Sequence, residues 1–179
     1  VRIENDKKYS FRLVNELFDN FSADKAELAS MVFEKCEEYM KINVIKAISD
    51  YCLFEFEPMY IDGTSSKNPA MRIACVKALG DLANPKNEQL LITATYDKDW
   101  VVRSSAVKGL GKIDTPRSLE GIKEAIKDKE WWVRQAAAGA LINRNVSISD
   151  IEDILGGYDK YAADAVKYAL YRSIDMKEG

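Results

Sequence analysis

Apolar residues recur along this chain in two rhythms. Over short segments they follow helical spacing: Val102, Ala106, Leu110 and Ile113 form an i, i+4, i+8, i+11 stripe. Over longer distances the same kind of position returns every 31 residues, aligning Val44, Cys75, Ala106 and Ala137, and also Ile48, Leu79, Leu110 and Leu141. Polar residues keep the same step. Lys41, Arg72, Arg103 and Arg134 share it, as do the pairs Asp97-Lys98, Asp128-Lys129 and Asp159-Lys160. After Lys160 the register drops by two residues, so that Leu170 takes the part of Leu141. A period of this size carried by helical stripes predicts stacked two-helix units that bury their apolar faces on one another.

Turn signals divide each unit. Pro85 and Pro116 stand where a first helix opens, the place where proline costs least. Leu90, Leu91 and Ala94 are its apolar positions in one unit, and Leu119, Ile122 and Ile126 in the next. Asn68 and Asp99 precede the second helix as N-caps, and Pro69 marks the same boundary; Glu130 fills the cap position in the next copy and caps less well. Ser105, Gly109, Ala136 and Ala140 flank the stripe with small side chains, so neighbouring helices can approach closely.

The flanking regions are also helical but less regular. From about Tyr9 to Asn20, Phe11, Val14, Leu17, Phe18 and Phe21 fall on one side. Ser22 can cap a following helix that runs to about Tyr39 and carries Met31, Val32 and Phe33. Pro58, Gly63 and the Thr64-Ser65-Ser66 run predict a short helix and then a loop between Glu55 and Lys67. Gly156-Gly157 separates a brief helix near Ile151 from a final one over Tyr161 to Arg172. The predicted fold is all-α: an α-α superhelix, or solenoid, of antiparallel helical hairpins. A helical segment over 1–40 is expected to pack on a repeat array over 41–179, clearest over 67–144, as one continuous domain.

The motif Asp97-x-x-Trp100-Val101-Val102-Arg103-x-x-Ala106-x-x-x-Leu110 and its copy from Asp128 through Trp131, Trp132, Val133, Arg134 and Ala137 to Leu141 resemble HEAT repeats, in the short phycocyanobilin-lyase-type form. The resemblance is clearest from Lys67 to Arg144. It implies paired antiparallel helices in a right-handed solenoid, with the second helices lining one broad surface. It also implies a ladder between adjacent repeats, built from an Asp before the second helix and an Arg in its first turn. By motif position these are Asp97 with Arg103 and Asp128 with Arg134; Arg72 belongs to the same row, with Ser66 where its acid would stand. Arg suits the task because one guanidinium can bridge a carboxylate and loop carbonyls. The other reading of this row is a set of arginines for an anionic ligand. Architecture of this kind is nearly silent on function.

Composition narrows the possibilities. With 26 basic and 29 acidic residues the net charge is -3, and the excess is local: residues 1–40 hold six basic and nine acidic side chains. A nucleic-acid binder normally shows a basic surplus, so nucleic acid is not expected as the partner. The chain has no histidine, which excludes Ser-His and Cys-His pairs, and no phosphate loop or metal-binding cysteine spacing occurs. Catalytic residues, metal ligands and cofactors are therefore not assigned. Glu34, Glu37 and Glu38, like Asp150, Glu152 and Asp153, read as solvated faces or helix starts. Cys36, Cys52 and Cys75 sit in apolar helical patterns and read as free thiols of a reducing, cytoplasmic compartment. The start at Val1 rather than Met suggests a piece of a longer protein, so a membrane tether is left to whatever precedes it.

The expected function is a non-catalytic protein-interaction scaffold that uses the surface of the second helices. Two features mark that surface. Trp100 and Trp131 hold equivalent places at the start of successive second helices, with Trp132 beside them. Lys46, Lys77 and Lys108 recur about 200° around the helix from the core positions, which predicts an exposed lysine row that Gly139 ends. Each has a plainer reading, as packing between repeats and as a solubilising face. The alternatives are a nucleic-acid-binding or repair protein of HEAT-like fold and a bilin-lyase-like enzyme.

Overall fold

A computed structural model describes residues 16, 19–20, 25–49, 54–144 and 146–175. The structure is all-α, with no strand among the described residues. The chain divides into two compact units, Val1–Leu82 and Ala83–Gly179, a boundary inside the 41–179 stretch. Of the helix expected over Tyr9 to Asn20, Glu16, Asp19 and Asn20 are described and helical, while Phe11, Val14, Leu17, Phe18 and Phe21 lie outside the described residues, as do the Ser22 cap and Cys52.

In the first unit, α1 (Lys25–Lys35) packs on α2 (Glu38–Ser49), and α4 (Pro69–Leu82) lies against both α2 and α3 (Glu57–Gly63). A short 3-10 turn, Phe54–Phe56, leads into α3. The helix expected to run to Tyr39 instead breaks at Cys36 and Glu37. The Glu37 carbonyl accepts from the Met40 and Lys41 amides at 2.9 and 3.0 Å and starts α2 afresh. From Ile42 to Ser49, α2 is buried at every position except Lys46. Glycine is required at Gly63, where an added Cβ would stand 2.3 Å from the buried Cys75 sulfur.

The second unit repeats one hairpin design. A 3-10 turn (Pro85–Asn87) and α5 (Glu88–Ala94) pair with α6 (Trp100–Leu110), α7 (Pro116–Ala125) pairs with α8 (Trp131–Asn143), and α9 (Ile148–Gly156) pairs with α10 (Lys160–Asp175). The second helices pack in series, α6 on α8 and α8 on α10, while α5 meets α7. Ala106, Ala137, Leu110 and Leu141 have no exposed surface, and neither do Val44, Cys75, Ile48 and Leu79 at the same repeat positions in the first unit. Small residues set the spacing: a Cβ on Gly111 would come within 2.9 Å of the Ala140 methyl.

Caps explain the boundaries. The Asp99 carboxylate accepts from the Val101 amide at 2.8 Å, and Asn68 accepts from Ala70 at 3.0 Å. Glu130 makes no such bond. Thr115 and Ser118 form a reciprocal capping box at the start of α7. No described helix is long and apolar enough to cross a membrane.

Candidate functional site

The loops before the second helices carry the arginine row. Arg103, 6% exposed, is held on every side. Its Nε and Nη2 donate to the two carboxylate oxygens of Asp128 at 2.7 and 2.9 Å. Its Nη1 donates to the Asp97 carbonyl at 2.9 Å. The ion pair therefore runs from one repeat to the next, not to the Asp97 carboxylate of the same motif. The Asp97 and Asp128 side chains each accept from an amide two residues on, that of Asp99 or Glu130, at 2.8 Å. Asp128 Oδ1 accepts from both the Glu130 amide and Arg103 Nη2, and Oδ2 accepts from Arg103 Nε. Ser66 repeats the local bond, accepting from Asn68 at 3.1 Å, while Arg72 Nη1 donates to the Ser66 carbonyl at 2.9 Å.

The row changes at Arg134. Its Nη1 donates to the Asp128 and Lys129 carbonyls at 2.6 and 2.9 Å, as the pattern requires. Its Nε is buried and has no hydrogen-bond partner among the described residues. The guanidinium instead faces the rings of Trp131 and Tyr161, 5.7 and 5.2 Å from their centroids. Asp159 caps α10, accepting from the Tyr161 and Ala162 amides at 3.0 Å. Counted from that cap, the place of Asp128 is taken by Gly157. The two-residue slip thus removes the acid that Arg134 would have met.

The Arg103–Asp128 pair perturbs both groups. Burial alone would push the Asp128 carboxyl up, but the Arg103 hydrogen bonds, the Glu130 amide and the nearby positive charges outweigh it and hold it below its ordinary value. A carboxylate depressed on folding stabilises the fold fully above the unfolded value of about 3.9, and that stabilisation drains away as pH falls through the lower folded value. Thermal melts taken from about pH 5 down to about pH 2.5 should therefore fall less steeply for Asp128→Asn than for the parent chain. Matching slopes would mean that this pair does not govern acid stability. Elsewhere, burial first and the Asp62 charge second push the Cys75 thiol up to about 12, so Cys75 is an inert core residue.

The sequence did not foresee Arg144, whose Nη1 donates to the Ser118 hydroxyl at 2.7 Å and whose Nη2 donates to the Asp114 carboxylate at 2.8 Å, tying the end of α8 to the start of α7.

A groove of about 750 Å³ opens on the other side of the second helices. Its floor is one face of α8: Trp132, Gln135, Ala136, Gly139 and Asn143 recur at helical spacing along it, a run of about 16 Å. Trp100, Val101, Ser105 and Lys108 of α6 form one bank, and Tyr168, Ala169 and Arg172 of α10 form the other. The tryptophans differ in role. Trp132 is 61% exposed and Trp100 39%, whereas Trp131 packs edge-on against Tyr168 with centroids 5.8 Å apart. At Gly139 an added Cβ would meet nothing within 4 Å, so the groove is open at mid-floor.

The structure thus places Trp100, Trp131, Trp132 and Lys108 together on this groove. Lys46 and Lys77 belong to the first unit; both are exposed, and Lys77 pairs with Asp81 at 3.2 Å. Gly139, Tyr168 and Arg172 were not assigned from the sequence. A signal existed: Gly139 continues the lysine row, and Tyr168 follows it once the two-residue slip is applied.

Residues 57–142 match the family model for HEAT repeats. No curated protein sequence matches the chain. Among solved structures, the complex of CpcE and CpcF of phycocyanin lyase from Nostoc sp. PCC7120 is similar with a TM-score of 0.60 at 20% identity, over 82% of this chain and 97% of that one. An engineered protein is similar with a TM-score of 0.59 at 12% identity, over 94% and 92%. At such identities these likenesses concern the fold alone.

Proposed function

We propose that this chain, whose residues 57–142 are HEAT repeats, is a non-catalytic scaffold that holds a protein partner in the groove along α6, α8 and α10. The observation that carries the reading is an exposed Trp132 on the same face of α8 as the unfilled Gly139, two turns along. A large indole left open to water at the rim of a concave, mostly apolar strip is the arrangement that interface anchors use. The groove's charged side chains, Lys108 and Arg172, carry one sign, and among the described residues no acid lines it to make an acid–base pair. On the arginine row, the Asp128 carboxylate already belongs to Arg103. Cys36 and Cys75 are free, which suits a reducing compartment.

Gly139→Leu tests the reading. The side chain enters open space, so it should not clash, and leaving glycine in a helix interior is worth about 1 kcal/mol of added stability. The variant should melt higher yet retain the partner about thirtyfold less well in affinity capture from the native cell, as should Trp132→Ala. Lys127→Ala, away from the groove, serves as the control. Undiminished capture by Gly139→Leu would reject the groove. The lyase reading has its own test: addition of a bilin to a phycobiliprotein by the purified chain would overturn the scaffold.

A further inference from the structure

The groove is graded along its length. Trp100 opens α6 and Trp131 and Trp132 open α8, so the indoles gather where these helices begin. Lys108 lies two turns further along α6, Asn143 closes α8, and Arg172 lies in the last turn of α10. A smaller recess of about 420 Å³ continues the groove past Gly139 and is lined by Lys108 and Lys112. Among the described residues no Asp or Glu lines either space, and neither Lys108 nor Arg172 has an ion pair. In a chain with more acidic than basic residues overall, a groove whose described charged residues are Lys108 and Arg172 is a local departure.

Resting on the docking reading above, we infer that the occupant is an acidic amphipathic helix of the partner. Its apolar residues at i, i+3 or i+4 and i+7 lie over Trp132, Ala136 and Gly139, and carboxylates towards one end meet Lys108 and Arg172. The length fits, since an i to i+7 stripe spans about 10 Å and the floor of α8 about 16 Å. The open space at Gly139 receives an anchoring side chain rather than a backbone alone. Charge complementarity sets which helices enter and in which direction, because the cations run from mid-floor, at Lys108, to the Asn143 end, at Arg172, and none lies at the tryptophan end.

The test uses labelled synthetic helices of one apolar pattern, with leucines at the anchor positions, titrated into the whole chain by fluorescence anisotropy. One peptide carries glutamates at the flanking positions, one carries glutamines and one lysines. A fourth keeps the glutamates and replaces the leucines by serine. The glutamate peptide should bind about tenfold more tightly than the glutamine peptide and weaken as salt is raised. Lys108→Glu combined with Arg172→Glu, both exposed side chains, should reverse the order and favour the lysine peptide. Equal binding of glutamate and glutamine peptides would overturn the acidic preference while leaving the groove intact. Equal binding of the serine peptide, or of a single-stranded oligonucleotide, would show that charge alone acts and would also overturn it. If no peptide binds but Gly139→Leu still abolishes capture, the partner is not such a helix and the docking reading survives. If neither has an effect, both fall.

Discussion

Asp128→Ala should lower the stability of the second unit by about 3 kcal/mol, a large share of what a domain of this size possesses. The loss comes from what is left behind. Arg103 is 6% exposed, and its Nε and Nη2 would lose both partners at once. Removing one member of a buried pair strands the other charge, which costs about 3 to 5 kcal/mol. The lower end applies because Nη1 keeps the Asp97 carbonyl. The Glu130 amide also loses its acceptor, at the start of a helix whose cap is weak already. Urea melts of Asp128→Ala, Arg103→Ala and the double variant give the coupling directly. A loss under about 1 kcal/mol for Asp128→Ala would mean that water reaches the guanidinium freely.

Gly63→Ala should cost a similar amount, about 3 kcal/mol, at the upper end for one added methyl. The Cβ would stand 2.3 Å from the Cys75 sulfur and 3.4 Å from its Cβ, and Cys75 is fully buried with nowhere to swing. Either α3 backs away from α4 or the sulfur leaves its rotamer. Cys75→Ala alone should cost about 1 kcal/mol by leaving a small void. The double variant should be more stable than Gly63→Ala alone, because the methyl then occupies the space the sulfur vacates. If Cys75→Ala brings no rescue, the strain lies in the backbone at Gly63 and not in this contact.

Most of the fold was legible because it rests on spacing. The two core rows, Val44, Cys75, Ala106 and Ala137 and Ile48, Leu79, Leu110 and Leu141, are fully buried, and the caps at Asn68 and Asp99 act at the expected boundaries. The break at Cys36 was not legible, since both flanking stretches favour helix and only packing chooses the turn. The direction of the ladder was not legible either. A motif gives Asp97 and Arg103 as neighbours in sequence, while the reach of an arginine side chain carries it to the next loop. Half of the groove could be read, through Trp100, Trp132 and Lys108. The α10 bank could not, because the register slips before Tyr168 and Arg172, and their alignment depends on knowing that Asp159 rather than Gly157 begins the helix.

That slip leaves the groove with one firm bank and one yielding bank. On the α6 side, the loop ahead of α8 is clasped by a charged fork at 2.7 and 2.9 Å. On the α10 side the matching clasp is missing, and Arg134 rests against aromatic rings instead. In a linear stack each hairpin is secured only by its neighbour, so opening should start from the C-terminal hairpin and run inward. An occupant touching Tyr168 and Arg172 would therefore press that bank shut, and its affinity would include the work of closing the end of the array.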